Sequence, residues 1–534
     1  MKLTRESIKD RESWEAADVS LPDFDIETMV ERTREAPCWV HFGPGNLFRG
    51  FIAGLQQKLL NKGLADRGII AAGGDVIDKI YRPHDNLSLL VTLNTDGTST
   101  REVIASIADS LKADYRDPDF QKLKWIFRQP SLQMVSFTIT EKGYELRDMQ
   151  GNLLPAVEND MRQGPGAPGQ TMSILTALML ERWQNGAAPV ALVSMDNYSK
   201  NGDKLRSSVL EIAKAWEEKG FVPPEFIGWL ADEKSLSFPW TMVDKITPRP
   251  SEAIEAQLRE AGIEDMAVVV TGRNSHIAPF VNAEAPQYLV VEDAFPNGRP
   301  ALEEAGVFFT DRKTVNDTER MKVATCLNPL HTALAVFGCL LGYTRISDEM
   351  RDNDLKKLVE LIGYGEGMPV VTDPKIIDPA AFIKEVIEKR LPNPFIPDAP
   401  QRIATDTSQK IPIRFGETIK AYIARDDLDV KSLVGIPLVI AAWLRYLLGI
   451  DDEGKPFEVS GDPLLPELRR LLDGVVFGDP RSYRGQLVPI LGNPVLFAAD
   501  LNACGLSEKI ETMFVRMLEG PGSVRAALRE YLSS

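Results

Sequence analysis

The feature that most constrains this chain is a short apolar run that enters a helix through glycines: Cys38 to Phe42 (CWVHF), then Gly43 to Asn46 (GPGN), then the helical stretch from Leu47 to Gly63. A buried strand that turns directly into a helix opens a β-α-β unit, because parallel strands can be joined only by a crossover. Further strand-like runs follow at Gly68 to Gly73, Ser88 to Asn94, Gln133 to Thr140, Ala188 to Met195 and Met266 to Gly272. Several are continuous apolar or β-branched runs of the kind buried in parallel sheets. Helical stretches at Ser173 to Gln184 and Lys204 to Lys219 lie between some of them. The alternation predicts an α/β fold built on a doubly wound, Rossmann-type sheet.

After about residue 312 the strand signal nearly vanishes. Amphipathic stretches at Thr314 to Leu327, Pro329 to Gly342, Leu355 to Gly363 and Pro379 to Arg390 predict a mostly α-helical C-terminal domain. At 534 residues the chain exceeds what one core sustains. We therefore expect a dinucleotide-binding domain over 1–311 and a helical substrate and catalytic domain over 312–534, with a cleft between them as the place for an active site.

The 61 Lys and Arg against 77 Asp and Glu leave a net charge of −16, which opposes sequence-independent binding to nucleic acid or anionic membrane. An anionic substrate then needs a local cationic pocket. The N-terminus is charged and lacks the apolar core of a signal peptide, and the stretches Ala333 to Tyr343 and Leu433 to Leu448 are too short or interrupted to span a bilayer. The cysteines at 38, 326, 339 and 504 form no CxxC pair. These features predict a cytoplasmic protein with a small-molecule substrate.

Gly43 and Gly45 follow the first strand and precede a helix, where a tight turn lets the backbone approach a pyrophosphate at the helix N-terminus. The third glycine of the G-x-G-x-x-G pattern is replaced by Phe48, followed by Arg49. With Asn46 these are the candidate cofactor contacts, and Asp75, after the second strand, is the candidate ribose ligand. The alternative reading is a strand-to-helix turn without a ligand.

The histidines at 41, 84, 276 and 331 have no second histidine or cysteine at ligand spacing, so no metal site is expected. If the nucleotide serves hydride transfer, a site without a metal must polarise an alcohol with a general base and hydrogen-bond donors aimed at the developing alkoxide.

The segments Gly43-PGNLFR-Gly50, Thr138-ITEKGY-Glu145, Met195-DNYSKNG-Asp203, Phe238-PWTMVDKITP-Arg249, Asn328-PLHTAL-Ala335 and Asn393 to Phe415 (NPFIPDAPQRIATDTSQKIPIRF) resemble the mannitol dehydrogenase family, and do so in family order. That family comprises polyol-specific long-chain dehydrogenases, including mannitol 2-dehydrogenases, fructuronate reductases (D-mannonate oxidoreductases) and tagaturonate reductases. The resemblance implies metal-independent hydride transfer between NAD(H) and C2 of an open-chain sugar, with a lysine as acid-base. It also implies that Asn197 and Asn328 hold the reacting oxygen and that His331 orients the lysine or a substrate hydroxyl. By the same resemblance Asp244 accepts from a substrate hydroxyl, Arg402 and Lys410 form a distal substrate clamp, and Glu141 lies near a proton exit path. Each residue also has a structural reading: a turn for Asn197, a helix cap for Asn328, an ordinary helix or loop charge for Asp244, and a solvated face for Arg402 with Lys410.

The chain departs from the family at the lysine. The family pattern is K-x4-N-x2-H, and here that position is Val323, with Lys322 one residue earlier. On an uninterrupted helix of about 100° per residue, Lys322 and His331 lie about 180° apart, against about 80° for the family spacing. Pro329 disfavours helix at Asn328, so a break is expected there, with Asn328 as N-cap, Pro329 at N1, and a π-bulge or loop taking up the additional residue. Lys322 is then the expected base, with Lys245 or Lys200 as alternatives, and whichever acts needs a lowered pKa. The expected reaction is reversible reduction of a 2-keto sugar acid of the fructuronate type by NADH. Mannitol 2-dehydrogenase activity is the alternative, and a non-catalytic NAD-binding protein is the alternative of another class.

Overall fold

A computed structural model of the chain describes residues 1–148, 150–272 and 275–533. It divides into two compact units, Met1–Asn94 with Thr98–Asn316, and Thr95–Gly97 with Asp317–Ser534.

The first unit is organised by a six-stranded sheet. Its strands in chain order are β1 (Trp39–Phe42), β2 (Ile69–Gly73), β3 (Ile107–Lys112), β4 (Met134–Phe137), β5 (Val190–Ser194) and β6 (Leu236–Ser237). The spatial order is β3-β2-β1-β4-β5-β6 and every pairing is parallel. This is the doubly wound order in which the strand sequence reverses between β1 and β4, and ligands bind at that switch point beyond the carboxyl ends. Alternate residues feed two cores: Val40, Phe42, Val135, Phe137 and Leu192 pack with Phe127 and Leu175. Trp39, Met134, Ala191 and Val193 pack with Ile52, Leu55 and Leu59 on the other face. Burial on both faces is why these strands read as unbroken apolar runs.

Two expected strands lie outside this sheet. Ser88–Leu93 pairs antiparallel with Ser99–Ile104 and parallel with Phe280–Glu284 in a separate four-stranded sheet. The run from Met266 contributes only Val269–Val270, paired with His276–Ile277, and Val270 is exposed. An apolar run alone does not say which sheet it joins. β3 was not expected, because Asp109 and Ser110 interrupt its apolar pattern, a mixture an edge strand tolerates.

The second unit is helical, with only isolated bridges among its described residues. Its apolar helix Gly435–Tyr446 is buried throughout. The helical run Arg312–Leu340 is long and apolar enough to cross a membrane by composition, but 78% of its apolar window is buried within the fold, as a core helix is. Several helices pass into wide π turns, at Lys322–Cys326, Leu361–Gly367, Val386–Arg390 and Pro412–Gly416.

Candidate active site

In the first unit, β1 is followed directly by Gly43, whose φ of +86° suits glycine, and a Cβ there would sit 2.1 Å from the Thr138 carbonyl beyond β4. Gly45 is open: a Cβ would meet nothing nearer than the Gly43 carbonyl at 3.9 Å. The Gly45 carbonyl accepts the first helical bond, from Arg49 N at 3.2 Å, so the free N–H groups of the first turn begin at Asn46. The two glycines thus form a cradle of the kind a pyrophosphate requires.

A directional hydrogen-bond chain supports this turn. Thr138 Oγ1 donates to the Gly43 carbonyl (2.7 Å) and so accepts from His41 Nε2 (2.8 Å); His41 Nδ1 then accepts from Ser136 Oγ (2.7 Å), which accepts from Trp39 Nε1 (2.7 Å). Burial pushes His41 down to about 3, which keeps the imidazole neutral and suits this single tautomer. Phe48 is fully buried and stacks on His41 at 4.0 Å. Arg49 is also fully buried, donating to the Ala278 carbonyl (2.7 Å) and to Asn46 Oδ1 (3.0 Å). Both side chains are thus built into the support of the turn and offer no exposed surface to a ligand. Further along the same helical stretch Gly50 meets the separate four-stranded sheet closely, where a Cβ would lie 2.8 Å from Val281 Cγ1.

Asp75 stands just past β2, part-exposed, accepting from Gly272 N and from Lys79 Nζ, both at 2.8 Å. These two donors, Lys79 first, hold its carboxyl below the ordinary range.

Asn197 is exposed just past the carboxyl end of β5, and Glu141, also exposed, opens a short helix past β4. Between them lies Asp196, which the sequence reading passed over. Its buried carboxylate accepts from Ile139 N (2.9 Å), Thr140 N (3.0 Å) and Tyr144 Oη (2.7 Å). Those bonds hold Thr140 at φ +63° and ψ 162°, a region that otherwise belongs to glycine. Asp244 is buried at the end of the strand Thr241–Asp244. Lys245 donates to the Glu284 carbonyl and to Gln287 Oε1, and Lys200 is the exposed left-handed residue before the helix Asn201–Glu218.

In the second unit, the helix Arg312–Met321 passes into the π turn Lys322–Cys326, which the Leu327 N–H closes on the Lys322 carbonyl at 3.0 Å. Lys322 is buried. The next helix runs Asn328–Leu340, and the Leu327 carbonyl takes its first bond from His331 N at 3.1 Å. The N-cap is therefore Leu327 and not Asn328: with φ −128° and ψ −62° it is the residue that leaves helical geometry, so Asn328 is the first residue of the helix and Pro329 the second.

His331 Nε2 lies 3.3 Å from Asp398 Oδ2, within ion-pair reach but off the hydrogen-bond direction, and Asp398 also pairs with Arg402. Burial works to raise the Asp398 carboxyl, yet His331 and Arg402 together hold it below its ordinary value. Lys410 donates to the carbonyls of Ile403 (3.0 Å) and Thr405. Arg414, a second residue missed in the sequence, donates to Thr332 Oγ1 at 2.5 Å, and that hydroxyl donates to the Asn328 carbonyl at 3.0 Å. The second unit thus groups Lys322, Asn328 and His331 on one broken helical run and ties Arg402 to His331 through Asp398. Among the described residues no group of three or more His, Cys, Asp and Glu side chains is arranged to hold a metal ion.

Comparison with known proteins gives these positions a family. Residues 38–304 match the mannitol dehydrogenase Rossmann domain and residues 314–502 the mannitol dehydrogenase C-terminal domain. The chain belongs to the mannitol dehydrogenase family. It is 55% identical to the D-mannonate oxidoreductase of Thermotoga maritima, over 99% of both chains. Among solved structures it is similar to Pseudomonas fluorescens mannitol 2-dehydrogenase in ternary complex with NAD and D-mannitol, at 26% identity, TM-score 0.71 and full coverage of both chains. It is also similar to a D-sorbitol dehydrogenase in substrate-free form, at 28% identity and TM-score 0.78, with 96% of this chain and 98% of that one covered.

Proposed function

We propose that this protein is an NAD-dependent oxidoreductase that interconverts the C2 carbonyl and secondary alcohol of an open-chain sugar acid, of the fructuronate and D-mannonate type. The observation that carries the reading is the π turn Lys322–Cys326. It takes up the residue by which the lysine is displaced from the family spacing, and a wide turn inserted into a helix is a recurrent feature of functional sites. The D-mannonate oxidoreductase relative supports the acid over the polyol.

The glycine cradle and Asp75 fit a dinucleotide: Gly43 and Gly45 leave room at a helix N-terminus, and Asp75 presents a carboxylate past β2 for a ribose diol. A nicotinamide dinucleotide held there would supply or accept the hydride. Lys322 takes the hydroxyl proton during oxidation and returns it to the carbonyl oxygen during reduction. Asn197 and Asn328 donate their amides to that oxygen as charge develops on it. Asp398 holds the imidazole of His331 toward the same helix start. Asp244 takes a substrate hydroxyl, Arg402 and Lys410 hold the distal end of the substrate, and Glu141 serves proton exit. All four cysteines are free, which suits a reducing cytoplasm, where we place the enzyme.

The test is NADH oxidation followed at its absorbance band against fructuronate, tagaturonate, fructose and their phosphates. Turnover fastest with a hexuronate is expected. Silence with every substrate together with tight NADH binding refutes the reading in favour of a non-catalytic nucleotide-binding protein.

A further inference from the structure

Two cations of the second unit, Arg414 and Lys410, stand without an ion pair among the described residues. Arg414 lies in the π turn Pro412–Gly416, which packs against the π turn carrying Lys322, and Thr418, just beyond it, donates to the Ala324 carbonyl at 3.4 Å. The Arg414 guanidinium is part-buried and has a neutral hydroxyl, Thr332 Oγ1, as its hydrogen-bond partner. Lys410, one turn earlier and also part-buried, bonds only backbone carbonyls. Among the described residues neither makes an ion pair. The acids nearby are otherwise engaged: Asp398 pairs with Arg402 and faces His331, and Asp462 accepts from Ser408 N (2.8 Å) and Ser408 Oγ (2.5 Å). Asp406, the left-handed residue before the helix Thr407–Ile411, attracts Lys410 without pairing with it.

Uncompensated, partly desolvated cations side by side are costly in the free protein, and an anion that binds between them relieves the cost. The helix Asn328–Leu340, whose first turn Arg414 reaches through Thr332, adds the positive end of its dipole to the same neighbourhood. A hydroxyl offers such a place little, whereas a carboxylate matches the fork of a guanidinium.

We propose that Arg414, acting with Lys410, is the specificity-determining residue that reads the carboxylate of the sugar-acid substrate. The inference rests on the sugar-acid reading given above and names the groups that make the enzyme prefer an acid to an uncharged ketose. The titration of Lys410 agrees with it. Burial, then Arg414, and more weakly Arg402, bring its ammonium down to about 8 against the pull of Asp406 and Asp462. The cation is lost as pH rises through that value, so KM for the acid rises above about pH 8, whereas KM for fructose stays level.

The experiment compares D-fructuronate with D-fructose, which carries a hydroxymethyl group in place of the carboxylate, in the wild type and in Arg414→Gln, Arg414→Lys and Thr332→Val. For Arg414→Gln we expect kcat/KM toward fructuronate to fall roughly 10- to 100-fold, mostly through KM, as suits loss of a charged hydrogen bond. Activity toward fructose should stay within about threefold, and Arg414→Lys should recover part of the loss. Thr332→Val should leave the acid-to-ketose ratio within about threefold. An equal loss on both substrates, reproduced by Thr332→Val, would reduce Arg414 to a support of the Asn328 helix and overturn the proposal, as would an unchanged ratio. A wild type that reduces neither substrate would refute the activity itself. The pair is then judged by calorimetric titration with D-mannonate and mannitol: affinity for the acid alone that Arg414→Gln abolishes sustains it, and equal or absent binding of the acid overturns it.

Discussion

Glu349 is fully buried against the helix that carries Asn328 and His331, and neither of its carboxyl oxygens has a hydrogen-bond partner. Its fit is close: a Cβ on Gly338 of that helix would lie 2.2 Å from Oε1. Burial, helped by Asp352 and Asp348, pushes the carboxyl well above its ordinary 4.5, so the folded protein holds a proton that the unfolded chain releases. Between the two values the folded state binds more protons, and stability falls as pH rises from about 4.5. Each pH unit over which the folded state keeps that proton and the unfolded chain does not costs about 1.4 kcal/mol of stability. Glu349→Gln keeps the shape and removes the titration. The Tm advantage of the variant over the wild type should therefore widen as pH rises from 5 to 7, by on the order of 3–6 °C for each pH unit over which the folded state keeps the extra proton. Differential scanning fluorimetry at several pH values reads this directly. The pH-dependent part is the informative quantity, because an amide buried in the same place carries its own unpaired donors. A difference that stays constant across this pH range would refute a buried, neutral Glu349.

Other perturbations probe candidate residues of each unit separately. Thr138→Val removes the donor to the Gly43 carbonyl and the acceptor for His41, and should weaken NADH binding roughly 5- to 100-fold in a fluorescence titration. Thr140→Gly releases a β-branched residue from a glycine-like conformation and should stabilise the first unit by about 1 kcal/mol in urea unfolding, provided Asp196 keeps its bonds to the turn. Asp398→Asn removes the charge that faces His331 and pairs with Arg402; kcat should fall about tenfold or more, with a shifted pH profile and unchanged NADH affinity.

How much was legible follows from where the sequence constrains the backbone. Proline at 329 announced the break, and the displaced lysine required something to absorb a residue, so a bulge before Asn328 was readable; that Leu327 would be the cap was not, because the cap is set by which carbonyl takes the His331 N–H. The parallel strands declared themselves by burial on both faces, whereas β3 hid behind Asp109 and Ser110. The glycine pattern is broken at Phe48, and what that side chain does instead, stacking on His41, appears only in the folded chain. Asp196, Asp398 and Arg414 all lay inside segments already singled out, yet nothing local distinguishes them from surface charges. Their parts come from partners far along the chain, as Arg414 and Thr332 show.

As proposed above, Lys322, displaced by one residue and carried in its π turn, is the acid-base group of a sugar-acid oxidoreductase. The most direct measurement is the steady-state rate of NADH-dependent fructuronate reduction by the wild type and by Lys322→Ala, with NADH affinity determined for both. A roughly 100- to 10,000-fold loss of kcat is expected in the variant, with NADH affinity preserved. Near-normal turnover by Lys322→Ala would contradict it and move the proton transfer to Lys245 or Lys200.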